Sequence, residues 1–498
     1  MFLSNNLFNL TIENYKMLVM SKMNFIQKIY LNYNSIYYDN IIVGGGIIGS
    51  SLFYHIANVN QKDSTLLIDK NYVASGTTGL SVGLIYNGFK EKPELLSVNK
   101  LLSINSNPLI ISNFYKFYLS ASTISILDEL KKNTTFDYEK KGSLLVSSLY
   151  SSILLFKYFY ISKKMGQDIS LITKYNLETI EPNISGSFAI KSNHSISVNP
   201  IETSYSFIKM AKRTSLNCSV KENTHIVDII KPCDEEFYFI KSNKGDIYKC
   251  RRLILSNGLQ MNDLLKKFEV KLPIVPVKGY VLNIDNTHNI DIKHNIYYID
   301  SFNFWFNNKT LNYLYNIPEF ITHNIEGEPY NSKLNIFRKL YNYLFNINYN
   351  DVNNDINNDI KHIYIKVIGN CSDQDDIKYQ IGFNRQLASS IFDYESNFDH
   401  TYVQKNLSRF FKNTNLNDIE ENTYLGLMPF SLNGYPILGN LKEYGHPNIW
   451  IANGFGPYGV SIGPALTKLL VNKIYNIEDP ENIIYDYYHK MSEFEVIN

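Results

Sequence analysis

The first region of the chain with a clear pattern of apolar and polar residues predicts a strand, a turn, a helix and a second strand. Asn40–Val43 is a short apolar run typical of a buried strand, and apolar side chains repeat at helical spacing over Leu52–Ala57. Thr65–Ile68 is a second apolar run, and Asp69 follows it directly. Two buried strands joined through a helix over about 30 residues predict a right-handed βαβ unit with parallel strands.

The rest of the chain mixes helical and strand-like patterns, so the predicted fold class is α/β. Strand-like runs occur at Gly142–Val146, His225–Ile230 and Leu253–Ser256. Between Asn335 and Asp359 the sequence becomes dense in Asn, Tyr and Asp, with few apolar residues to bury. We therefore expect a low-complexity surface insertion at about 335–359. No internal repeat is visible in the sequence.

The turn after the first strand is rich in glycine and follows the pattern G-x-G-x-x-G over Gly44–Gly49. In this pattern Gly44 permits the tight turn, Gly46 lets the backbone approach a pyrophosphate, and Gly49 lets the helix pack on the strand. The helix N-terminus adds N–H groups and the positive end of the helix dipole. Asp69 lies 20 residues beyond Gly49, where a carboxylate accepts hydrogen bonds from ribose hydroxyls. The pattern predicts a dinucleotide site, with a packing turn as the alternative, and does not separate NAD from FAD.

Composition and charge exclude several classes of protein. The 498 residues include 48 basic and 47 acidic side chains, and a net charge of +1 disfavours a protein built to bind DNA or an anionic membrane. Four cysteines in so long a chain rule out a disulfide scaffold, and no C-x-x-C pair is present, so no metal site is expected. No apolar run approaches the ~20 residues of a membrane helix. The 62 Asn, with 42 Lys against 6 Arg, favour an AT-rich genome over a functional demand, which makes each Arg informative.

Residues 1–37 precede the first clear motif and form an N-terminal extension. This extension contains Lys16, Lys22 and Lys28, one acidic residue, Glu13, and some amphipathic spacing, but no Arg. A mitochondrial presequence normally carries Arg, so an untargeted extension is the alternative. The expected location is accordingly mitochondrial or cytoplasmic.

The segment after the second strand resembles a known family. Val73–Gly79 reads VASGTTG, and Val82–Ile85 reads VGLI. Both resemble the A-S-G-[ST]-[ST]-G stretch and the following G-[LI]-[IL] element of the FAD-dependent oxidoreductases of the D-amino acid oxidase superfamily. This group includes glycine and sarcosine oxidases, D-amino acid dehydrogenases and dimethylglycine dehydrogenases. Small residues and hydroxyls let a chain pass close to a cofactor and donate hydrogen bonds to its phosphates.

The resemblance extends from about Tyr38 to Tyr475, and the order of its segments makes it specific. Further segments similar to family elements are Phe136–Ser147, Glu181–Ile184, Ser197–Pro200, Ser256–Gly258, Pro276–Tyr280, Gly426–Gly439 and Asn453–Val460.

The resemblance implies a Rossmann-type FAD-binding domain interleaved with a substrate domain built on an antiparallel sheet, α+β overall. Residues 38–90, 196–265 and 421–475 would form the FAD-binding domain, residues 91–195 and 266–420 the substrate domain, and residues 476–498 a C-terminal tail. FAD would be bound non-covalently, because no Cys lies near the last family segment. The turn and the family motifs indicate these cofactor-binding residues: Gly44, Gly45, Gly46, Ile47, Ile48, Gly49, Asp69, Lys70, Ser75, Gly76, Thr77, Thr78, Gly83, Leu84, Ile226, Ser256, Asn257, Gly258, Gly454, Gly456, Pro457, Tyr458, Gly459 and Val460.

Two positions depart from the family pattern. Family oxidases of free amino acids often carry an Arg that pairs with the substrate carboxylate, and this chain has Met428 there, which cannot form that pair. The frequent Gly-His-Gly before the last helix is here Gly454–Gly456, with Phe455 in place of the His. We expect the last helix to begin at Gly459, so that its positive end stabilises negative charge on the reduced flavin.

Three residues are candidates for a catalytic or substrate-binding role. Lys278 could add positive charge near the flavin, with an exposed lysine as the alternative. Arg385 could anchor a substrate carboxylate in place of Met428, with a salt-bridge arginine as the alternative. Tyr458 is a candidate pocket aromatic, although many of the 39 Tyr must serve packing.

The resemblance implies oxidation of a C–H bond next to a nitrogen, with a hydride passing to FAD. The partners would be a small amine or amino acid and an electron acceptor, which could be oxygen, a quinone or an electron-transfer flavoprotein. Three alternatives stay open at this point. They are modification of a tRNA base, assembly of a respiratory complex, and dehydrogenation of glycerol 3-phosphate or a 2-hydroxy acid.

Overall fold

The computed structural model describes residues 35–94, 108–149, 151–231, 236–284, 291–299, 363–368, 379–394, 407, 410–412, 423–492 and 495–496. Residues 1–34 and the insertion expected at 335–359 lie outside these ranges. The helices are α1 (Ile47–Val59), α2 (Pro108–Asn133), α3 (Ser152–Lys164), α4 (Lys174–Ile180), α5 (Pro200–Thr214), α6 (Met261–Leu265), α7 (Gly459–Ile474) and α8 (Asn482–Met491). The strands are β1 (Ser35–Val43), β2 (Thr65–Ile68), β3 (Leu84–Ile85), β4 (Tyr138–Glu139), β5 (Ser143–Ser147), β6 (Ile169–Thr173), β7 (Phe188–Ser192), β8 (Ile196–Val198), β9 (Cys218–Lys221), β10 (Ile226–Ile230), β11 (Tyr238–Ser242), β12 (Ile247–Leu255), β13 (Val270–Lys271), β14 (Ile274–Ile284), β15 (Asn295–Ile299), β16 (Ile363–Val367), β17 (Tyr379–Leu387), β18 (Thr423–Ser431), β19 (Ile437–Leu441), β20 (His446–Asn453) and β21 (Glu495–Val496).

The first sheet has eight strands, and its centre is parallel. Its order is β10-β11-β12-β1-β2-β9, with β20 beside β12 and β19 beside β20. The pairs β1–β12, β1–β2, β2–β9 and β12–β20 are parallel. The predicted βαβ unit is therefore confirmed, since β1, α1 and β2 follow one another and the two strands are parallel neighbours.

The second sheet also has eight strands, in the order β18-β14-β17-β16-β15-β5-β7-β6. Its neighbouring strands are antiparallel, as expected, except that β15 and β5 run parallel. Its core contains Tyr280, Leu282, Ile381 and Phe383, all of them buried. The alternation along β14 sends Tyr280 into this core and leaves Gly279 on the other face, where the smaller of the two cavities described below lies.

Helix α2 joins the two halves of the molecule. Phe114 and Tyr118 on α2 belong to the same buried cluster as Phe53 of α1 and Leu466 of α7. The helix therefore packs against the layer of helices that covers the first sheet, and one face of it is left for the cavity beside the second sheet. Among the described helices, none combines the length and the apolar character needed to cross a membrane.

Two segments lie differently from the domain boundaries that the resemblance implies. Strand β18, in the segment expected to belong to the FAD-binding domain, pairs with β14 from Thr423 to Ser431 and so extends the second sheet. The segment expected to be a C-terminal tail contains α8, whose Ile484 and Tyr488 are fully buried in the cluster around α1 and α7. The hydrogen bonding and burial thus assign β18 to the second sheet and α8 to the core.

Candidate active site

Two adjoining cavities lie between the first sheet and the second. The large cavity has a volume of about 680 Å³ and is lined by the glycine turn, the segments 69–80, 224–227, 256–264 and 391–394, and parts of β18 and of the turn before α7. The small cavity has a volume of about 220 Å³ and is lined by residues 77–86, one face of α2, the second sheet and the start of α7. Ile47, Thr77, Thr78, Gly456 and Gly459 line both cavities, which therefore form one continuous site.

The glycine turn brings the backbone of β1, α1 and β12 into close contact. Gly44 has a φ of +103°, and a methyl group there would lie 2.6 Å from the carbonyl oxygen of Ser256. A methyl group at Gly49 would lie 1.8 Å from the carbonyl oxygen of Gly44. Any side chain at either position would displace backbone, so both glycines are needed for the shape of the turn. The turn presents Gly46, Ile47 and Ile48 to the large cavity at the N-terminus of α1.

Asp69 at the end of β2 holds the glycine turn and also lines the large cavity. Its Oδ2 accepts a hydrogen bond of 2.7 Å from the backbone N–H of Gly45, and its Oδ1 accepts one of 2.9 Å from that of Asn71. Burial raises the pKa of this carboxyl group, while the two backbone hydrogen bonds oppose the rise. At the cavity wall, the Asp69 carboxylate can accept further hydrogen bonds, such as those from the hydroxyls of a ribose.

A second turn, at the end of β12, closes the other side of the large cavity. The Ser256 hydroxyl contacts the carbonyl oxygens of Val43 and Gly44 at 3.1 and 3.0 Å. Asn453 Nδ2 donates to the carbonyl oxygen of Gly258 over 2.8 Å, which ties this turn to β20. The buried Oδ1 of Asn257 accepts no hydrogen bond from the described residues, although Asn257 lines the cavity. An acceptor in this state indicates that the cavity is built for a ligand with donor groups.

The segment after β2 runs from the large cavity to the small one. Thr78 Oγ1 accepts a hydrogen bond of 3.0 Å from the backbone N–H of Ile47, and Thr77 Oγ1 donates to the carbonyl oxygen of Leu427 over 2.6 Å. These bonds fix the segment between α1 and β18. Gly83, with a φ of +76°, then turns the chain, and a methyl group there would lie 2.2 Å from the carbonyl oxygen of Val198. The segment thus lines both cavities along its length.

Helix α7 begins at Gly459, as predicted, where the two cavities meet. A short helical turn, Gly456–Tyr458, precedes it. The first turn of α7 contains no acidic residue, so the partial positive charge of the helix N-terminus is not offset there. Phe455, the residue found in place of the family His, is 5% exposed and lines the large cavity.

One face of α2 lines the small cavity. Asn113, Lys116, Phe117 and Ser120 follow helical spacing and are exposed to it together. The opposite wall comes from the second sheet, including Met428 of β18, and several of these segments contribute aromatic side chains. The aromatic residues that line the small cavity are Tyr86, Phe117, Tyr297, Tyr364 and Tyr458.

Lys116 is the one lining residue of the small cavity, among those described, that can carry a positive charge. Its side chain is buried, with 7% of the residue exposed, and its Nζ lies 4.6 Å from the centre of the Tyr458 ring. No carboxylate pairs with it within the described ranges, and burial alone lowers its pKa to about 7. Burying a cation without a counter-charge is costly, so this lysine needs an explanation.

The three candidates for catalysis lie in different places. Tyr458 lines the small cavity, next to the start of α7. Side chains alternate along β14, so Lys278 is on the opposite face from Gly279, which lines the small cavity. The Lys278 Nζ pairs at 2.5 Å with Oδ1 of Asp393, within the segment that lines the large cavity. The backbone of Arg385 pairs with that of Gly279, and its side chain lies outside the described part of the structure, so its role stays a prediction.

The cofactor-binding candidates gather around the two cavities. All of them except Gly45, Gly49 and Gly454 line one cavity or the other. Gly45 donates to Asp69, and Gly49 packs on Gly44, so these two act on the shape of the turn. Of the cysteines, Cys218 and Cys250 are described as free thiols, and neither lines a cavity.

Comparisons with known proteins agree with this arrangement. Residues 39–473 match the family of FAD dependent oxidoreductases, and the chain therefore belongs to that family. It is 24% identical over 240 residues to 4-methylaminobutanoate oxidase (formaldehyde-forming) of Paenarthrobacter nicotinovorans, covering 47% of this chain and 26% of that protein. It is 22% identical over 255 residues to glycine oxidase of Bacillus subtilis (strain 168), covering 50% of this chain and 62% of that protein. The matches thus span less than two thirds of these relatives' own lengths.

The fold is also similar to that of a solved structure. Glycine oxidase from Geobacillus kaustophilus superposes with a TM-score of 0.61 at 15% identity, covering 89% of this chain and 96% of that one. At this identity the likeness shows the fold alone. The predicted fold class, an α/β FAD-binding half interleaved with a largely antiparallel sheet, is thereby confirmed.

FAD is the cofactor of this family, and the residues present fit it. The glycine turn and the start of α1 would hold the pyrophosphate, and Asp69 the ribose. Asn257 Oδ1 accepts no hydrogen bond from the described residues, and Gly44 and Gly49 admit no side chain; both observations agree with a ligand that approaches the backbone closely. Residues 77–84 and 456–460, which lie where the cavities join, would hold the flavin ring.

Motif reasoning missed part of the wall of the small cavity. This part comes from α2, β15 and β16, which carry none of the family motifs. One signal in the sequence indicates Lys116. It is the single charged residue between Pro108 and Leu127, and all the other residues of that stretch are uncharged. A lone charge within a helix that is buried on most sides marks a position worth testing.

Proposed function

We propose that the chain oxidises a C–H bond next to the nitrogen of a small amine or amino acid and passes the hydride to FAD. The observation that carries the proposal is the small cavity, which opens onto the large cavity at Gly456 and Gly459. Its volume of about 220 Å³ is below the roughly 300–1,000 Å³ of sites for drug-sized ligands, so it suits a small substrate. The amine oxidases among the relatives support this reaction class.

When bound, FAD supplies the hydride acceptor. The chain supplies orientation and shelter from water. The apolar and aromatic walls of the small cavity, with Met428 and Phe117 among them, exclude solvent around the reacting carbon. Among its described lining residues there is neither a carboxylate nor a histidine, so these residues favour a substrate that enters as the neutral amine. The N-terminus of α7 would stabilise negative charge that develops at the ring.

Anaerobic mixing of the yellow, FAD-loaded protein with candidate substrates tests the proposal. Glycine, sarcosine, N-methyl amines and amino acids are expected to bleach the flavin absorption, whereas glycerol 3-phosphate and 2-hydroxy acids are not. Bleaching by the hydroxyl compounds alone would replace the proposed reaction with their dehydrogenation. If no compound bleaches the flavin, amine oxidation fails and assembly of a respiratory complex becomes the better hypothesis. Tight, salt-sensitive tRNA binding would instead favour tRNA modification.

The electron acceptor and the location remain proposals as well. Oxygen, a quinone or an electron-transfer flavoprotein could accept the electrons, and reoxidation of the bleached protein by each in turn distinguishes them. Fractionation of cells with an antibody against the protein tests the mitochondrial or cytoplasmic location.

A further inference from the structure

We propose that Lys116 binds the carboxylate of the substrate, so that the anionic end of the substrate lies against α2 and Tyr458. The proposal rests on the proposed function and names the substrate class of the same site. It starts from the one unexplained group in the small cavity, a buried lysine on the cavity wall that no described carboxylate neutralises.

The position of Lys116 on α2 is fixed by packing on both sides. Tyr115 and Phe117, its neighbours in sequence, are 2% and 7% exposed, and α2 packs between α1, α7 and α8. The helix backbone at Lys116 is therefore held in place, and the buried lysine side chain lies at the cavity wall. The Tyr458 ring, 4.6 Å from Nζ, offers its π face, which stabilises a cation only in part.

A carboxylate matches the cavity in charge and in size. Lys116 is the single lining residue, in the described part of the wall, that can carry a positive charge. When protonated it balances one negative charge and leaves a phosphate dianion under-compensated. A carboxylate also fits within about 220 Å³ together with an amine and a short carbon chain. The charge-assisted hydrogen bond it would accept from Nζ is the strong kind.

The position of Lys116 also explains how the site could bind a carboxylate although Met428 stands in place of the family arginine. Met428 lines the same cavity from β18, and its methyl group is 2.7 Å from where a Cβ would stand on Gly279. An apolar side chain fills the place where the family resemblance implies an arginine, while a cation stands on α2 instead. The substrate would therefore be turned in the cavity, with its carboxylate at α2 rather than at β18.

Titration with non-oxidisable ligands tests Lys116 without turnover. Acetate and its neutral counterpart acetamide are added to the FAD-loaded protein at pH 6.5, and the shift of the flavin absorption bands gives each Kd. Lys116→Met is expected to raise the Kd of acetate about tenfold or more and to leave that of acetamide unchanged. Lys132→Met, which removes an exposed lysine on the same helix, is the matched control and should change neither. An unchanged acetate Kd, or an equal loss for both ligands, would overturn the proposal.

The pH dependence gives a second signature. The other titratable residues in the described lining of the small cavity are Tyr86, Tyr297, Tyr364 and Tyr458. Burial raises the pKa of Tyr297 well above its ordinary value. Burial raises the pKa of Tyr86 to about 12. Acetate affinity of the wild-type protein should therefore fall between pH 6 and 9 as Lys116 loses its proton. Lys116→Arg, which stays charged, should bind acetate without that fall.

Turnover separates this role from proton transfer. Lys116→Met should raise the KM for sarcosine and leave the KM for dimethylamine unchanged, because only sarcosine has a carboxylate. An equal loss of kcat for both amines at unchanged acetate affinity would make Lys116 a proton acceptor and overturn the proposal. If acetate binding depends on Lys116 but no amine bleaches the flavin, the inference stands and the proposed reaction fails. If amines bleach the flavin but acetate binding does not depend on Lys116, the proposed reaction stands and the inference fails.

Discussion

The two cavities bind by different means. The large cavity is shaped by backbone, and at Gly44 and Gly49 a single added methyl group would run into carbonyl oxygens. The small cavity is shaped by side chains from α2, the second sheet and the start of α7, with one buried cation among aromatic rings. Substitutions at the glycine turn should therefore act sterically, and substitution of the buried cation in the small cavity should act electrostatically.

The largest effect is expected at the glycine turn. Gly49→Val would place its Cβ 1.8 Å from the carbonyl oxygen of Gly44, so the turn must open and the site for FAD is lost. The purified variant should be colourless, with an FAD content near zero by absorbance. Gly76→Ala is the matched control, because a Cβ at Gly76, which also lines the large cavity, meets nothing within 4 Å. A yellow Gly49→Val protein would show that the turn does not need this close approach.

The second largest effect is expected from removing the buried charge of Lys116, which should stabilise the folded chain. The pKa of Lys116 is about 7 in the folded chain, against 10.5 for an ordinary lysine, because of burial. Between these values the unfolded chain holds a proton that the folded chain does not, so wild-type stability rises with pH over that interval. At pH 7 the folded chain bears nearly the full free-energy cost of burying this amino group. At about 1.4 kcal/mol for each unit of pKa, that cost is about 5 kcal/mol at most.

Lys116→Met should accordingly raise the free energy of unfolding at pH 7 by a few kcal/mol, and the gain should shrink toward pH 9. Urea unfolding at pH 7, 8 and 9, with FAD in excess, measures it. Lys132→Met again serves as the control, since an exposed ion pair contributes little. A variant less stable than wild type at pH 7 would show that Lys116 has a counter-charge in the folded chain. A gain would mean that the chain keeps a destabilising residue for its function.

The same contrast explains which parts of the site could be predicted from the sequence. The glycine turn and Asp69 depend on backbone geometry within one βαβ unit, so their spacing along the chain carries the information. The small cavity collects Tyr86, Lys116, Tyr297 and Tyr364 from segments far apart, and only the folded chain brings them together. No local sequence pattern therefore predicts that these four residues line one cavity.

Lys278 shows a second limit of sequence patterns. The motif at Pro276–Tyr280 correctly indicated a strand beside the site. A strand presents successive residues to opposite faces, and the motif does not say which face meets the cavity. Gly279 takes the cavity face, so Lys278 meets Asp393 on the other side. The helix start at Gly459 was predictable because glycine and proline residues mark it directly.

A smaller effect is expected at the ribose end of the large cavity. Asp69→Asn keeps the shape but loses the negative charge, which accepts hydrogen bonds from Gly45 and Asn71 and would accept them from the ribose hydroxyls of FAD. Hydrogen bonds to charged groups contribute about 1.5–3 kcal/mol, so the Kd of FAD should rise about tenfold to a hundredfold. Fluorescence titration of the apoprotein with FAD measures this. Acetate binding to the reloaded variant should not change, and a parallel loss there would mean that the two cavities are not independent.

The smallest effect is expected from the ion pair between Lys278 and Asp393. Lys278 donates to Asp393, and this bond is the main cause of the lowered pKa of that carboxyl group. Asp393 also accepts hydrogen bonds from the backbone and side chain of Ser389, which fixes the turn that carries Ile391, Phe392 and Tyr394 at the wall of the large cavity. Asp393→Asn removes the negative charge that Lys278 pairs with and should loosen this segment, raising the Kd of FAD a few-fold.

Lys278→Met gives the sharper form of this test, because Lys278 and Lys116 are both buried lysines near the site. If Lys278 faces away from the small cavity, as its position on β14 indicates, Lys278→Met should raise the Kd of FAD slightly and leave the Kd of acetate as in wild type. Lys116→Met should raise the Kd of acetate and leave the Kd of FAD unchanged. Glu129→Gln, at an exposed ion pair on α2, should change neither constant. A loss of acetate affinity in Lys278→Met would mean that its charge acts across the sheet. The substrate carboxylate would then be held by two lysines, and the division between a backbone cavity and a side-chain cavity would no longer describe the site.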